Sequence, residues 1–288
     1  MSYRSIFRPG LFDGQVAIVT GGGSGIGRCT AHELAALGAR VALVGRKLDK
    51  LKSVEAEIVA RGGLVSCHAI DIRDEASVQL VIGDVLATHG RIDALVNNAG
   101  GQFPMPLAAM SLNGWEAVVK TNLTGGFLMA RESFGQWMSQ HGGAIVNIVA
   151  DMWGSMPMMG HSGAARAGMV SFTETAAVEW AAAGVRVNAV APGYIASSGL
   201  EKYPPEFASF LKKAHTSIPA YRLGTESEIS AAIVYLLSEA ASFITGAVLR
   251  VDGGRPNGRI GWEPVAHDKS RPFNGFDLAQ PPKILGGE

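Results

Sequence analysis

The sequence predicts a single α/β domain, in which one parallel β-sheet of about seven strands carries helices on both faces. Short apolar runs alternate with longer stretches of helical periodicity along most of the 288 residues, and this alternation is typical of a doubly wound sheet. A glycine-rich turn also joins the first strand to the first helix. Hydrophobic residues make up 47% of the chain and charged residues 17%, a balance that favours a large core over disorder.

Each predicted strand is a short apolar run, and each predicted helix is the periodic stretch that follows one. The last helix is the most regular, because Ile229, Ile233 and Leu236 form an apolar stripe and Thr225 with Glu228 matches a capping box. In chain order, strands are expected at 16–20, 41–44, 65–70, 94–97, 144–149, 186–190 and 248–251, and helices near 26–37, 48–60, 77–89, 115–123, 127–140, 164–183 and 226–238.

Two regions depart from this alternation. We assign the main domain to residues 1–254. Within it, residues 193–222 form a long mixed stretch that we expect to cover the ligand as a lid. Residues 255–288 are rich in glycine and proline and have no period. They form either a disordered tail or an arm that packs on a neighbouring subunit.

The overall composition narrows the class of protein. The formal net charge is +0, so nothing indicates a nucleic-acid or membrane-surface partner, and no metal site is predicted. Cys29 and Cys67 fall in a predicted helix and strand, which fits a reducing compartment. No secretory signal or Ser-Lys-Leu address is seen. The uncharged stretch 94–115 contains proline, asparagine and glycine, which disfavour a membrane helix. We therefore expect a cytoplasmic location.

The glycine-rich turn is the clearest site signal. Gly21, Gly25 and Gly27, with Ser24 and Ile26 between them, follow the first strand and open the first helix. Glycines without Cβ atoms let the backbone approach a pyrophosphate, and the helix N-terminus adds free N–H groups. The turn therefore predicts dinucleotide binding, the alternative being a purely structural turn.

The end of the second strand predicts which dinucleotide binds. An NAD-dependent enzyme usually carries a carboxylate there for the ribose 2′-hydroxyl, whereas this chain has Gly45, Arg46 and Lys47. Because Arg46 can bind a 2′-phosphate through two hydrogen bonds, we expect NADP (NADPH), with NAD as the weaker candidate. The alternative is that Arg46 and Lys47 are a solvated charge pair.

Further cofactor contacts are expected where later strands end. Asp71 is a candidate acceptor for the adenine amine, or else a loop cap. Residues after the fourth and sixth strands lie at the carboxyl edge of the sheet, where ligands bind in such folds. The complete predicted cofactor set adds Ile72, Asn98, Ala99, Gly100, Pro192, Gly193 and Ile195.

These motifs together resemble those of the short-chain dehydrogenase/reductase family. The resemblance rests on the Thr-Gly-x-x-x-Gly-Ile-Gly run, Asn98-Ala99-Gly100, Asn122 and Pro192-Gly193, and it covers about residues 14–254. It implies a Rossmann-type sheet, a nicotinamide cofactor and usually a homotetramer. Within the family, segments 100–103 and 161–168 look similar to peroxisomal trans-2-enoyl-CoA reductase and, more distantly, to 2,4-dienoyl-CoA reductases.

The catalytic centre departs from the family pattern. The family's usual tetrad is Asn, Ser, Tyr and Lys; Asn122 matches its Asn, whereas Ser162 stands at the Tyr position and Arg166 at the Lys position. The expected Ser falls near Val149 or Ala150, and no tyrosine of the chain has a lysine four residues later. An aliphatic hydroxyl and a guanidinium do not titrate near neutral pH, so the usual phenol–ammonium proton relay is missing.

This departure favours one kind of substrate. A ketone that accepts a hydride becomes an alkoxide, which needs a proton at once from a tuned acid. An α,β-unsaturated thioester becomes an enolate instead, whose charge donors such as Ser162 can hold while carbon is protonated more slowly. Asp151 and His161 are the candidate proton sources. The alternative for Asp151 is a loop cap or a structural acceptor, and the alternative for His161 is packing or a hydrogen bond to the backbone. Ser162 has a simple helix cap as its alternative role, and Asn122 a bridge at a helix break.

Apolar residues in the loops suggest an apolar substrate. The leading prediction is an NADPH-dependent reductase of an enoyl-CoA. The alternatives are an alcohol or aldehyde dehydrogenase of terpene or lipid catabolism and a catalytically silent NADP-binding protein. The loop residues are Phe103, Met105, Met152, Trp153, Met156, Met158 and Met159, and the basic residues of the lid, which either meet a coenzyme A phosphate or are solvated, are Lys202, Lys212, Lys213 and Arg222.

Overall fold

The computed structural model describes residues 3–257 and 263–286, and within these ranges it contains every predicted strand. The strands are β1 (Val16–Thr20), β2 (Arg40–Gly45), β3 (Leu64–Ala69), β4 (Ala94–Asn97), β5 (Gly143–Ile148), β6 (Val185–Pro192) and β7 (Val248–Val251). They form one sheet in the order β3-β2-β1-β4-β5-β6-β7, and each neighbouring pair is parallel. The predicted doubly wound Rossmann-type sheet is thus confirmed.

The core lies on both faces of this sheet. Val16 and Ile18 of β1 belong to one cluster of buried side chains, and Ala17 and Val19 belong to the other. Successive side chains of a strand point to opposite faces. A central parallel strand therefore needs the unbroken apolar run that β1 supplies.

The helices cover the two faces in the expected alternation. Their bounds are α1 (Gly25–Ala36), α2 (Leu48–Val59), α3 (Glu75–His89), α4 (Leu112–Val119), α5 (Gly125–Ser133), α6 (Ser139–His141), α7 (Gly160–Glu179), α8 (Ala208–Lys213) and α9 (Glu226–Leu237). The predicted capping box of α9 is confirmed, since the Thr225 hydroxyl accepts from the Glu228 N–H and the Glu228 carboxylate accepts from the Thr225 N–H.

The predicted break between the helices near 115–123 and 127–140 is wrong. The chain stays helical from α4 to α6 through two π-helical turns, Lys120–Thr124 and Phe134–Met138. The glycines at the predicted break instead allow close packing, because a Cβ at Gly125 would lie 2.7 Å from Ile72 Cδ1. The helix predicted at 164–183 begins earlier, at Gly160, and this shift matters for the site below.

The residues predicted as a lid follow β6 and contain short 3₁₀ turns and α8. The C-terminal arm, over its described residues 263–286, contacts the chain's own body, and its packing on a neighbouring subunit stays a prediction. Phe276 is 2% exposed and its ring lies 5.0 Å from that of His32. Asp277 also accepts two hydrogen bonds of 2.9 Å from Arg61. No helix in the described parts of the chain is long and apolar enough to cross a membrane.

Candidate active site

The glycine turn has no room for larger residues at two of its positions. A Cβ at Gly27 would lie 2.4 Å from the Gly21 carbonyl oxygen and 2.4 Å from Asn98 Nδ2. Gly21 has φ +66°, and a Cβ there would lie 3.0 Å from Ala99 Cα. Both glycines are therefore required for the turn to close against the loop after β4.

Polar side chains fasten this turn to the loop after β4. The Thr20 hydroxyl accepts from the N–H groups of Asn98 and Ala99 at 2.9 and 3.0 Å and donates to the Val96 carbonyl. The Asn98 amide donates to the Thr20 carbonyl at 2.9 Å. Asn98 and Ala99 thus shape the cofactor crevice, whereas their direct contact with a cofactor stays a prediction.

The start of α1 fits a pyrophosphate group. Ser24 is the N-cap residue, yet its side chain bonds no backbone N–H of the first turn, so those donors are left for an anion. Gly25 has φ +58° and a Cβ there would meet no atom nearer than 3.6 Å. Ile26 follows in the same half-buried turn. The opening lies between β1 and β4, where the strand order reverses and such sheets bind dinucleotides.

The adenosine end of the crevice carries an exposed pair of cations. Arg46 and Lys47 are exposed directly after β2. Asp71 accepts hydrogen bonds from the Arg73 guanidinium and backbone N–H and so caps this loop, and its contact with the adenine amine stays a prediction. Hydrogen bonds from Arg73, with a smaller contribution from Arg46, lower the pKa of Asp71. Arg73 was missed in the sequence because it belongs to no motif.

Ile72, also in the predicted cofactor set, is buried against α5. At the other end of the crevice, Pro192 closes β6 and its carbonyl accepts from the Asp151 N–H at 3.0 Å. The Gly193 N–H donates to the Val251 carbonyl at 3.0 Å, and Ile195 is buried and forms an isolated β-bridge with Gly224. The structure thus places these residues around one edge of the sheet, and their contacts with a cofactor remain predictions.

Asn122 bridges the helical run and the loop after β4. It lies in the π-helical turn after α4 and is 2% exposed. Its amide accepts from the Gly101 N–H and donates to the Gly101 carbonyl, both at 2.9 Å. A π-helical turn displaces its residues from the regular ladder, which lets this side chain reach the loop. Asn122 therefore holds the backbone beside the catalytic centre.

Arg166 lies beneath the same loop. Its Nη1 donates to the Ile148 carbonyl, and its Nε is buried with no hydrogen-bond partner among the described residues. A Cβ at Gly100 would lie 2.5 Å from Arg166 Nη2, so the guanidinium fills the space that glycine leaves. Burial lowers the pKa of Arg166 to about 10, and the group stays cationic at neutral pH.

Ser162 is fully buried in the first turn of α7. The N-cap residue of α7 is Met159, so the interpretation of Ser162 as a helix cap is wrong. Its hydroxyl donates to Gln102 Oε1 at 2.7 Å, and Gln102 Nε2 donates to the Tyr203 hydroxyl at 2.6 Å. Motif spacing does not predict either partner, because both are distant in the chain: Gln102 lies 60 residues before Ser162, and Tyr203 belongs to the lid region.

His161 packs rather than faces the crevice. It is fully buried, and its ring meets that of Phe103 edge-on at 4.6 Å. Its Nδ1 accepts from the Ser162 N–H at 2.8 Å. Burial lowers its pKa, so the imidazole is neutral. The interpretation that His161 packs and bonds backbone is confirmed.

Asp151 forms an ion pair with the first residue of the C-terminal arm, Arg255. Arg255 Nη1 lies 2.7 Å from Asp151 Oδ2, while Asp151 Oδ1 is buried with no hydrogen-bond partner in the described part of the chain. The carboxylate acts as a structural acceptor here, as the alternative interpretation proposed. Its role as an acid stays a prediction.

Apolar side chains surround the mouth of the site. The Met105 N–H donates to the Met158 carbonyl, which joins the loops after β4 and β5. Trp153 and Met158 are 39% and 38% exposed. Ser155 and Met158 adopt positive φ, a strained backbone that often marks functional loops. Of the basic residues of the lid, Lys212 and Lys213 are exposed, and Arg222 pairs with Glu228.

Comparison with known proteins agrees with this architecture. A family model described as Enoyl-(Acyl carrier protein) reductase matches residues 21–255. A probable 2,4-dienoyl-CoA reductase of Bacillus subtilis is 38% identical over 84% of this chain and 96% of its own. A peroxisomal 2,4-dienoyl-CoA reductase of Danio rerio is 36% identical over 93% of this chain and 88% of its own.

Among solved structures, a citronellol catabolism dehydrogenase of Pseudomonas aeruginosa is 60% identical, covers 88% of this chain and 100% of its own, and superposes with a TM-score of 0.80. The fold, the glycine turn and these similarities agree. The chain belongs to the short-chain dehydrogenase/reductase family and is an oxidoreductase that uses a nicotinamide cofactor.

Proposed function

We propose that this protein is an NADPH-dependent reductase of apolar α,β-unsaturated acyl thioesters, of the enoyl-CoA or dienoyl-CoA type. The observation that carries the proposal is the pair Ser162 and Arg166 at the position of the family's Tyr and Lys. These residues supply hydrogen-bond donors and positive charge but no acid that titrates near neutral pH. Relatives named 2,4-dienoyl-CoA reductases support the same substrate class.

The cofactor would be held along the crevice between β1 and β4. The first turn of α1 would bind the pyrophosphate, and Arg46 the 2′-phosphate. When bound, the nicotinamide supplies a hydride. We expect NADP rather than NAD because the end of β2 and the next two positions, residues 45–47, carry no carboxylate, and because Arg73 already pairs with Asp71, which leaves Arg46 for the phosphate.

The chain's own residues would then stabilise developing negative charge. Arg166 places a half-buried cation beside Gly100, with no carboxylate paired to it among the described residues, and such a cation favours an anion near it. Ser162 offers a hydroxyl donor to the thioester oxygen. Asn122 keeps the loop at Gly101 fixed, so that the backbone beside these groups is held in place before the substrate arrives.

The mouth of the site suits an apolar acyl chain. Leu107, Trp153 and Met158 are all more than a third exposed around it, and exposed apolar groups that line a crevice mark ligand sites more often than chance. The exposed Lys212 and Lys213 are available for a coenzyme A phosphate.

A direct assay distinguishes the candidate functions. The purified protein is incubated with NADPH and enoyl-CoA or dienoyl-CoA substrates, and loss of the nicotinamide absorbance is followed. The proposal predicts turnover of the thioesters and a clear preference for NADPH over NADH. Reduction of NADP⁺ by free alcohols, with no turnover of the thioesters by NADPH, would overturn it.

A second candidate has a specific observation in its favour. The solved structure at 60% identity is described as a citronellol catabolism dehydrogenase, and the Tyr203 phenol lies two hydrogen bonds from Ser162. An acyclic terpene alcohol is therefore the first substrate to test beside the thioesters. Cofactor binding with no turnover of either class would indicate the third candidate, a silent NADP-binding protein. The homotetramer and the cytoplasmic location remain predictions.

A further inference from the structure

The chain Ser162–Gln102–Tyr203 contains a proton-orientation problem. A serine hydroxyl has one proton, and in the structure Ser162 directs it at Gln102 Oε1, 2.7 Å away. While this hydrogen bond persists, Ser162 can accept a hydrogen bond but has no proton to donate to a substrate oxygen. The residue that would bind the oxyanion is thus held in a resting orientation.

Rotation of the Gln102 amide by half a turn solves this problem without loss of a hydrogen bond. The amide nitrogen would then donate to Ser162 Oγ and free the serine proton for the substrate. The amide oxygen would face the Tyr203 hydroxyl, which now donates instead of accepting. A phenol can act as donor or as acceptor. A purely apolar neighbour would instead leave one atom of the Gln102 amide without a hydrogen-bond partner in a half-buried site.

Tyr203 is suited to this exchange by its place in the fold. It stands on the segment after β6, half-buried, with its ring 6.1 Å from that of Phe207. Burial raises its pKa, so the phenol keeps its proton throughout the neutral range. Among the described residues, the titratable groups nearby include Tyr194, which raises the pKa of Tyr203, Glu201 two positions before it, His161 next to Ser162, and Arg166 one turn further along α7.

We propose that Gln102 is a positioning residue whose amide orientation sets whether Ser162 can donate, and that Tyr203 couples this orientation to the placement of the lid. The inference rests on the proposed function in one respect, since it takes Ser162 to be the donor to the substrate oxygen. No proton is transferred through the chain. Only the direction of two hydrogen bonds changes.

Gln102→Glu tests the proposal at nearly constant shape. A carboxylate only accepts, so the Ser162 proton stays directed at residue 102 and kcat falls roughly 10²-fold, as for loss of one oxyanion donor. The cofactor Kd stays at the wild-type value. As the pH falls and the new carboxyl gains a proton, it can donate and activity recovers, a profile that wild type lacks. Gln140→Glu, exposed in α6, makes the same charge change as the matched control.

Two further measurements test whether the effect of Gln102→Glu acts through Ser162 and whether Tyr203 contacts the Gln102 amide. In a Ser162→Ala background, Gln102→Glu should cause no further loss of kcat. Tyr203→Phe should shift the NMR signals of the Gln102 side-chain amide in protein labelled with ¹⁵N-glutamine, which needs no turnover. The assay uses whichever substrate class wild type turns over, so if the thioesters fail and an alcohol succeeds, only the proposed function falls. Unchanged kcat and pH profile in Gln102→Glu, or unmoved amide signals in Tyr203→Phe, would overturn the inference.

Discussion

Gly27→Ala is the sharpest test of the cofactor crevice. The added Cβ would stand 2.4 Å from the Gly21 carbonyl oxygen and 2.4 Å from Asn98 Nδ2. The first is backbone and the second is tied to the Thr20 carbonyl, so neither can move without opening the turn. Overpacking of this kind costs about 1–3 kcal/mol. The free protein relieves this strain by opening the turn, and cofactor binding must close the turn again, so the cofactor Kd rises roughly 5- to 150-fold.

The assay is titration of NADPH by fluorescence beside a thermal melt. Gly83→Ala is the matched control: it lies within α3, its Cβ would meet no atom nearer than 3.8 Å, and it should raise stability by up to about 1 kcal/mol with no effect on Kd. Gly27→Ala with wild-type Kd and melting temperature would refute the geometry of the turn. An equal loss of affinity in both variants would show that the effect is not local.

Four other changes test separate parts of the site and fold. Ser162→Ala should slow turnover while NADPH Kd stays unchanged, and wild-type kcat would remove the oxyanion role. Arg46→Glu should weaken NADPH binding about tenfold or more and leave NADH binding nearly unchanged, measured by parallel titrations. Burial raises the pKa of Glu226 from 4.5 to about 6. The folded chain therefore keeps this proton to a higher pH than the unfolded chain, and the free energy of unfolding falls as the pH rises from 4.5 to about 6. In urea denaturation, Glu226→Gln should raise the free energy of unfolding by up to about 2 kcal/mol above this pH range and leave it unchanged below the range. Phe276→Ala should cost about 3 kcal/mol, because its ring is buried against Tyr3 and His32 under the Arg28 guanidinium; an unchanged melting temperature would show that the arm does not pack on its own subunit.

The fold was predictable because the signals for it are local. Each strand is an unbroken apolar run, and Gly21 and Gly27 are demanded by contacts within one turn and its neighbour. The π-helical turn at Asn122 was not predictable in the same way. In the sequence alone, the glycines after it indicate the end of a helix, whereas the packing of Gly125 against Ile72 is a tertiary contact.

The partners within the site show the same limit. Ser162 and Arg166 were found from their spacing to a familiar motif. Gln102 lies in a segment noted for its resemblance, yet its bond to Tyr203 joins residues about 100 positions apart. The pairing of Asp151 with Arg255 spans a similar distance. Such contacts depend on how loops fold over the sheet edge, which periodicity and spacing do not report.

The central claim is that hydride reaches a polarised carbon–carbon double bond rather than a carbonyl carbon. It is tested most directly with NADPH deuterated at the transferable position of the nicotinamide, mixed with a trans-2-enoyl-CoA and, separately, with citronellal, followed by mass spectrometry of the products. The account predicts deuterium at Cβ of a saturated acyl-CoA. Deuterium on the alcohol carbon of citronellol, with the enoyl-CoA returned unchanged, would contradict it.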